Sequence, residues 1–123
     1  MTETSLQADY HLRTSEHGDA VVVRFGKCHI LDEYVANALG LELYGVADRP
    51  HVRRLILDFC GVAGMCSLML GKLLMLRSEM VAKGGGLVLC GLAPDLKRLF
   101  SLTRLDQVFD IEGSAVDALQ APG

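Results

Sequence analysis

The stretch LILDFCGVAGMCSLMLGKLLML, Leu55 to Leu76, decides how this chain is read. It opens on Leu55-Ile56-Leu57, an apolar run with no polar alternation, as expected of a strand covered on both faces. A short glycine-containing turn follows, and then a helix predicted from Ser67 to Lys83. Strand, turn and helix in that order aim the Ser67 hydroxyl and several unpaired backbone N–H groups at one point. Such a point suits a phosphate and suits a docking partner.

Working outward, the predicted helix carries Met69, Leu73, Leu76 and Met80 on one stripe, with Leu70, Leu74 and Val81 beside it. That wide apolar arc predicts a heavily buried helix with Leu70, Leu73 and Leu74 in the core. Glu79 and Lys83, spaced i,i+4, read as an ion pair marking its solvated side. Gly84 to Gly86 end the helix, and Leu87 to Cys90 form the next strand, a parallel neighbour of the strand Val52 to Phe59.

Upstream, Asp32 is an N-cap for a helix reaching about Val46, with Leu31, Val35, Leu39, Leu43 and Val46 as its apolar stripe. Ala20 to Phe25 is a β-branched strand, preceded by a hairpin turn at His17-Gly18-Asp19 and a short strand at Tyr10 to Thr14. Downstream, Pro94 opens a helix over Asp95 to Leu102, Val108 to Ile111 is a short edge strand, and Ser114 caps a last helical turn ending near Leu119. The implied class is α/β: a small mixed sheet of four to five strands with about four helices packed against it.

The chain of 123 residues fits one domain over residues 1–123, with residues 1–9 as a flexible N-terminal segment. Half of it is apolar and 22% is charged, which argues for a packed body and against disorder. A net charge of −3 lacks the basic footprint that nucleic acid requires. Met1 to Tyr10 has no apolar core of a signal segment and no apolar run approaches a membrane span, so the expectations are cytoplasmic location and no membrane insertion.

Ser67 has two readings: a capping serine that bonds the N–H groups of its own helix, or a phosphoacceptor facing the positive end of the helix dipole. Cys66 reads as a small apolar filler at a buried turn or as a thiol tuned by the helix terminus for redox sensing. Cys28, Cys60, Cys66 and Cys90 form no C-x-x-C pair, so reduced thiols are expected and no metal site. Cys60 and Cys90 end neighbouring strands and so come near one another. His11, His17 and His51 fall at turns or strand starts with no partner carboxylate or serine at a suggestive offset, and read as surface histidines. Lys97, Arg98 and Arg104 form a modest basic group that reads as a solvated face. No nucleophile elbow, P-loop or dinucleotide fingerprint appears, so neither catalysis nor a cofactor is expected.

Leu55-Ile56-Leu57-Asp58-Phe59, Val62, Met65-Cys66-Ser67 and Leu70-Gly71-Lys72-Leu73-Leu74 together resemble the central signature of the STAS domain, the module of anti-sigma factor antagonists and sulphate-transporter tails. The flanking Val21 to Phe25, Leu31-Asp32, Gly84 to Leu89 and Leu105 to Phe109 fit the same resemblance, which spans most of the chain. The family's usual Asp-Ser-Ser/Thr-Gly/Ala run is here Cys66-Ser67-Leu68-Met69, so the phosphoacceptor position alone is kept. The resemblance implies a non-enzymatic regulatory module whose surface at Met65, Cys66, Ser67, Leu68 and Lys72 binds a serine kinase-type anti-sigma factor. That partner would phosphorylate Ser67 and a serine phosphatase would reset it. The alternative is a constitutive STAS scaffold, a partner subunit of an ATPase as in lipid transport or of a sensory complex, with Ser67 unphosphorylated. A third is a small-molecule or redox sensor using Cys66.

Overall fold

The computed structural model describes residues 12–26, 28–30 and 33–121. Residues 1–9, expected to be flexible, lie outside this range, as do Tyr10 and His11, Leu31 and the expected cap Asp32. The elements in chain order are β1 (Arg13–His17), β2 (Ala20–Arg24), β3 (Cys28–Ile30), α1 (Glu33–Ala47), β4 (Arg54–Asp58), β5 (Val62–Met65), α2 (Ser67–Ala82), β6 (Gly86–Cys90), α3 (Pro94–Leu102), a 3-10 turn (Leu105–Gln107), β7 (Asp110–Glu112) and α4 (Ala115–Gln120).

Five strands form one mixed sheet in the order β1-β2-β4-β6-β7, with β1 and β7 at its edges. β1 and β2 are an antiparallel hairpin, and the other pairings are parallel. As the two apolar runs require, β4 and β6 are direct neighbours, Leu55 opposite Leu87 and Leu57 opposite Leu89, with α2 between them in sequence. Gly85 fixes the start of that pairing: its position lies so close to the Arg53 carbonyl that any Cβ would collide with backbone. Gly86 N–H donates to that same carbonyl at 2.9 Å.

The unalternated strands are explained by cover on both faces. Val21, Val23, Leu55, Leu57, Phe59, Leu87 and Leu89 face the larger core, shared with α1, α2 and α3. Ala20, Val22, Ile56 and Cys90 face a smaller core under α4, which contributes Ala115 and Ala118. The α1 stripe Val35, Leu39, Leu43 and Val46 is buried as its spacing predicts. Ser114 caps α4, its Oγ accepting from the Asp117 N–H at 3.1 Å.

Four expectations need correction. The segment after Phe59 is more than a turn, because Val62–Met65 is a strand paired in parallel with β3 in a second, two-stranded sheet. The α2 arc is not buried throughout: Leu73 is fully buried, Leu70 is half-buried, and Leu74, Met75 and Val81 are exposed. The sheet covers a single stripe of α2, and α1 and α3 do not wrap around its outer side. Lys83 does not serve a Glu79 pair; its Nζ donates to the Ala47 and Arg49 carbonyls at 2.7 and 2.9 Å, tying the end of α1 to the end of α2. Finally, His17 and His51 do have partners, which lie across space. His51 Nε2 stands 3.3 Å from Glu16 Oε1, and His17 Nε2 stands 3.0 Å from Ser15 Oγ.

Candidate functional site

The β5 strand delivers the chain to the start of α2. Along it Val62 and Met65 point into the core while Ala63 is exposed, so Met65 supports the site from beneath and does not present its side chain to a partner. Cys66 is the N-cap, with extended backbone at φ −84° and ψ 166°, and its side chain makes no capping bond. Its carbonyl accepts from Met69 and Leu70 N–H at 3.1 and 3.2 Å. Ser67 is the first residue of α2 and is exposed. Its hydroxyl bonds nothing among the described residues, so the capping reading of Ser67 does not hold. The N–H groups of Ser67 and Leu68 also lack an acceptor there, leaving partial positive charge at the surface.

Across from this terminus runs α1. The two helices lie side by side in the same direction: the Lys72 stem rests on Gly40, Tyr44 Oη donates to Met75 Sδ at 3.8 Å, and Lys83 clasps the end of α1. A Cβ at Gly40 would stand 2.7 Å from Lys72 Cδ and would push that flexible stem aside. Burial, with Glu79 nearby as the lesser cause, raises the Tyr44 pKa above the usual phenol value.

An open groove between the helices is lined by Glu33, Ser67, Leu68, Gly71, Lys72 and Met75. It brings together three residues singled out from sequence, Ser67, Leu68 and Lys72, with Cys66 half-buried at its end. Glu33, Gly71 and Met75 were not anticipated. Gly71 and Met75 follow from helical spacing, one and two turns from Ser67. Glu33 is placed by the parallel run of α1 against α2, for which the sequence gives no local signal. It supplies a carboxylate beside Ser67, where Cys66 supplies none.

A second cluster sits at the ends of β2, β4 and β6. Asp58 Oδ1 accepts from Cys60 N–H at 3.0 Å and Oδ2 lies 3.5 Å from Arg24 Nε, so this carboxylate stiffens the turn after β4. Cys60 is exposed and Cys90 buried, both free thiols. Burial pushes the Cys90 thiol up to about 12, with Asp58 adding to it. Among the described residues no group of three or more His, Cys, Asp or Glu could hold a metal ion, and no helix is long and apolar enough to cross a membrane. Lys97, Arg98 and Arg104 are all exposed.

Residues 11–118 match the STAS domain family. The chain belongs to that family. Its STAS fold is shared with a putative anti-sigma factor antagonist from Thermotoga maritima, at 18% identity over 91% of this chain and 95% of that one, with a TM-score of 0.80. The Bacillus cell fate determinant SpoIIAA, solved in its phosphorylated form, aligns at 18% identity over 89% of this chain and 96% of its own, TM-score 0.66. The murine Solute Carrier 26 family member A9 anion transporter aligns at 18% identity over 87% of this chain and 18% of its own, TM-score 0.71. The same fold thus makes up nearly all of the first two chains and a small part of the transporter chain.

Proposed function

We propose that this STAS domain is a non-enzymatic regulatory module of the anti-sigma factor antagonist type. It binds a serine kinase-type anti-sigma factor through the groove at the start of α2, and phosphorylation of Ser67 reverses that binding. A serine phosphatase restores it. The observation that carries the reading is the free, exposed Ser67 hydroxyl at an uncapped helix N-terminus. A phosphate there meets unpaired N–H groups and the helix dipole, which favour it in the isolated domain. In a complex, the same group adds roughly two negative charges beside Glu33 and Leu68, and both repulsion and desolvation weaken the contact. The likeness to SpoIIAA, a protein solved in a phosphorylated form, supports phosphorylation as the means of control, and the sign rests on the charge argument.

Phosphopeptide mass spectrometry of the protein from its native host, with binding assays of two variants against the anti-sigma factor, tests the proposal. Ser67→Ala is expected to bind constitutively and Ser67→Asp to bind weakly. Absence of phosphate on Ser67 in every growth phase, with both variants binding like the parent, overturns it. The second reading, a constitutive scaffold such as the STAS portion of a transporter assembly, is favoured by one feature. Cys66 and Leu68 flank Ser67 with a thiol and apolar bulk, neither of which orients a hydroxyl for a kinase.

A further inference from the structure

Three consecutive glycines lead into β6, and two of them have a backbone reason to be glycine. Gly84 has φ +84°, and a Cβ at Gly85 would collide with the Arg53 carbonyl. Gly86 is under neither constraint, since its φ is not positive and a Cβ there would meet nothing within 4 Å. Glycine inside a strand weakens it, and where the backbone does not demand glycine it marks a place that another group approaches. Gly86 is the register partner of Arg54, whose guanidinium reaches the end of α4. The missing side chain therefore lies on the α4 face of the sheet, away from α1 and α2. It opens there onto a cavity of about 410 Å³, whose lining includes Arg54, Gly86, Val88, Phe109, Asp110 and Glu112. β7 joins β6 from Asp110 onward, opposite Val88, which leaves the flank of Gly86 open.

The lining keeps its charges apart. Arg54, half-buried, gives two nitrogens to the Ala118 and Leu119 carbonyls, and the remaining donors of its planar fork are uncommitted. Asp110 stands two residues further along the sheet, roughly 7 Å at the rise of a parallel strand, with Glu112 beyond it. Among the described residues no ion pair joins Arg54 to either carboxylate. Val88, half-buried, and Phe109 give the space an apolar wall.

We infer that this cavity binds a free α-amino acid with an apolar side chain. The ligand carboxylate lies on Arg54, its ammonium on Asp110 with Glu112 behind, and its side chain over Gly86 against Val88. Charge selects this class of ligand. An anion alone meets Arg54 but faces two carboxylates, and a cation alone meets the carboxylates but faces a guanidinium. A molecule carrying both signs is matched at each end by a charge-assisted hydrogen bond. An ammonium and a carboxylate joined through one carbon, with such a bond at each end, span a gap of this size. The volume is that of an ordinary small-ligand pocket, with an apolar wall and few polar groups. The site is on the other face of the sheet from α2 and stands independently of phosphorylation at Ser67.

The test follows the backbone amide NMR signals of the isotope-labelled full chain during titration with L-leucine, with isoamylamine and with isocaproate. The last two keep the apolar body of leucine and carry only its cation or only its anion. The expected result is saturable shifts from L-leucine centred on Gly86, Val88, the β7 amides and Ala121, with the amine and the acid each binding about tenfold more weakly or worse. Gly86→Val puts a side chain into the cavity and abolishes these shifts. Asp110→Asn, a change at an exposed position, weakens L-leucine by about tenfold and does not weaken isocaproate. L-leucine shifts that are absent, that fail to saturate in the millimolar range or that centre elsewhere overturn the inference. Equal binding of the amine or of the acid overturns it too, as does binding retained in a folded Gly86→Val. If Gly86→Val does not fold, Asp110→Asn decides, and an unchanged affinity for L-leucine overturns the site.

Discussion

α2 and α4 are held to the sheet by different means. α2 is 16 residues long and buries Met69, Leu73, Leu76 and Met80 against the strands, yet no side chain caps its N-terminus. α4 has six residues, buries only Ala115 and Ala118, and is secured by hydrogen bonds at both ends. Ser114 Oγ accepts from Asp117 N–H, and the Arg54 guanidinium donates to the Ala118 and Leu119 carbonyls. Isolated helices this short are unstable in water, so α4 depends on its caps, whereas a full buried stripe positions α2, with Lys83 tying down only its far end. The comparison teaches why the α2 terminus is free for chemistry: packing deep in the helix relieves its first turn of a structural duty.

The largest expected effect breaks the packing side of this contrast. Leu73→Ala costs ~2–5 kcal/mol through lost transfer energy and a cavity. Leu74→Ala, one residue along on the open side, stays within ~0.5 kcal/mol. Denaturant midpoints of the two variants check this, and equal midpoints would mean the buried stripe has been misread. Ser114→Ala tests the capping side. It should cost ~1 kcal/mol and raise amide exchange across α4 before any other element, a pattern hydrogen exchange resolves.

Supplying α2 with the cap it lacks gives an effect of similar size and opposite sign. Cys66→Asp places a carboxylate where Leu68 and Met69 N–H can be reached, and should stabilise by about 0.5–1 kcal/mol, read as a raised Tm. One effect appears only in alkali, in the layer under α4. The Cys90 thiol is raised to about 12 by burial, so the folded state keeps its proton while the unfolded chain ionises near 9. The unfolded state then binds fewer protons, and stability declines as pH rises from about 9 toward 12. Cys90→Ala should flatten that decline in thermal scans across the alkaline range.

The core of this fold is legible because Leu55-Ile56-Leu57 and Leu87-Val88-Leu89 are continuous apolar runs and a 3.6-residue period separates them. Both strands, their pairing and the helix between them follow. The small sheet of β3 and β5 is not legible. Val62-Ala63-Gly64-Met65 carries two small residues and reads locally as a turn, and only its distant pairing with Cys28–Ile30 makes it a strand. The outer side of α2 misleads for a related reason, since apolar residues at Leu74, Met75 and Val81 look the same in sequence whether a sheet covers them or water does. At the site, Ser67 is readable from the order of strand, turn and helix, and Leu68 and Lys72 from the family resemblance, while Glu33 depends on how two helices are laid together.

The sheet's two borders have a bearing on how the chain behaves in a crowded solution. Its edge strands β1 and β7 carry Arg13, Glu16 and His17 on one side and Asp110 and Glu112 on the other, none of them buried. Exposed backbone at a sheet edge is a template for strand addition, and charged side chains on short edges discourage it. Aggregation by edge-to-edge growth is thereby obstructed at both ends of a sheet whose interior strands, taken out of context, are among the stickiest segments a chain can contain. Association is left to side chains on the helices, where specificity can be written, and is kept away from the backbone, where it cannot.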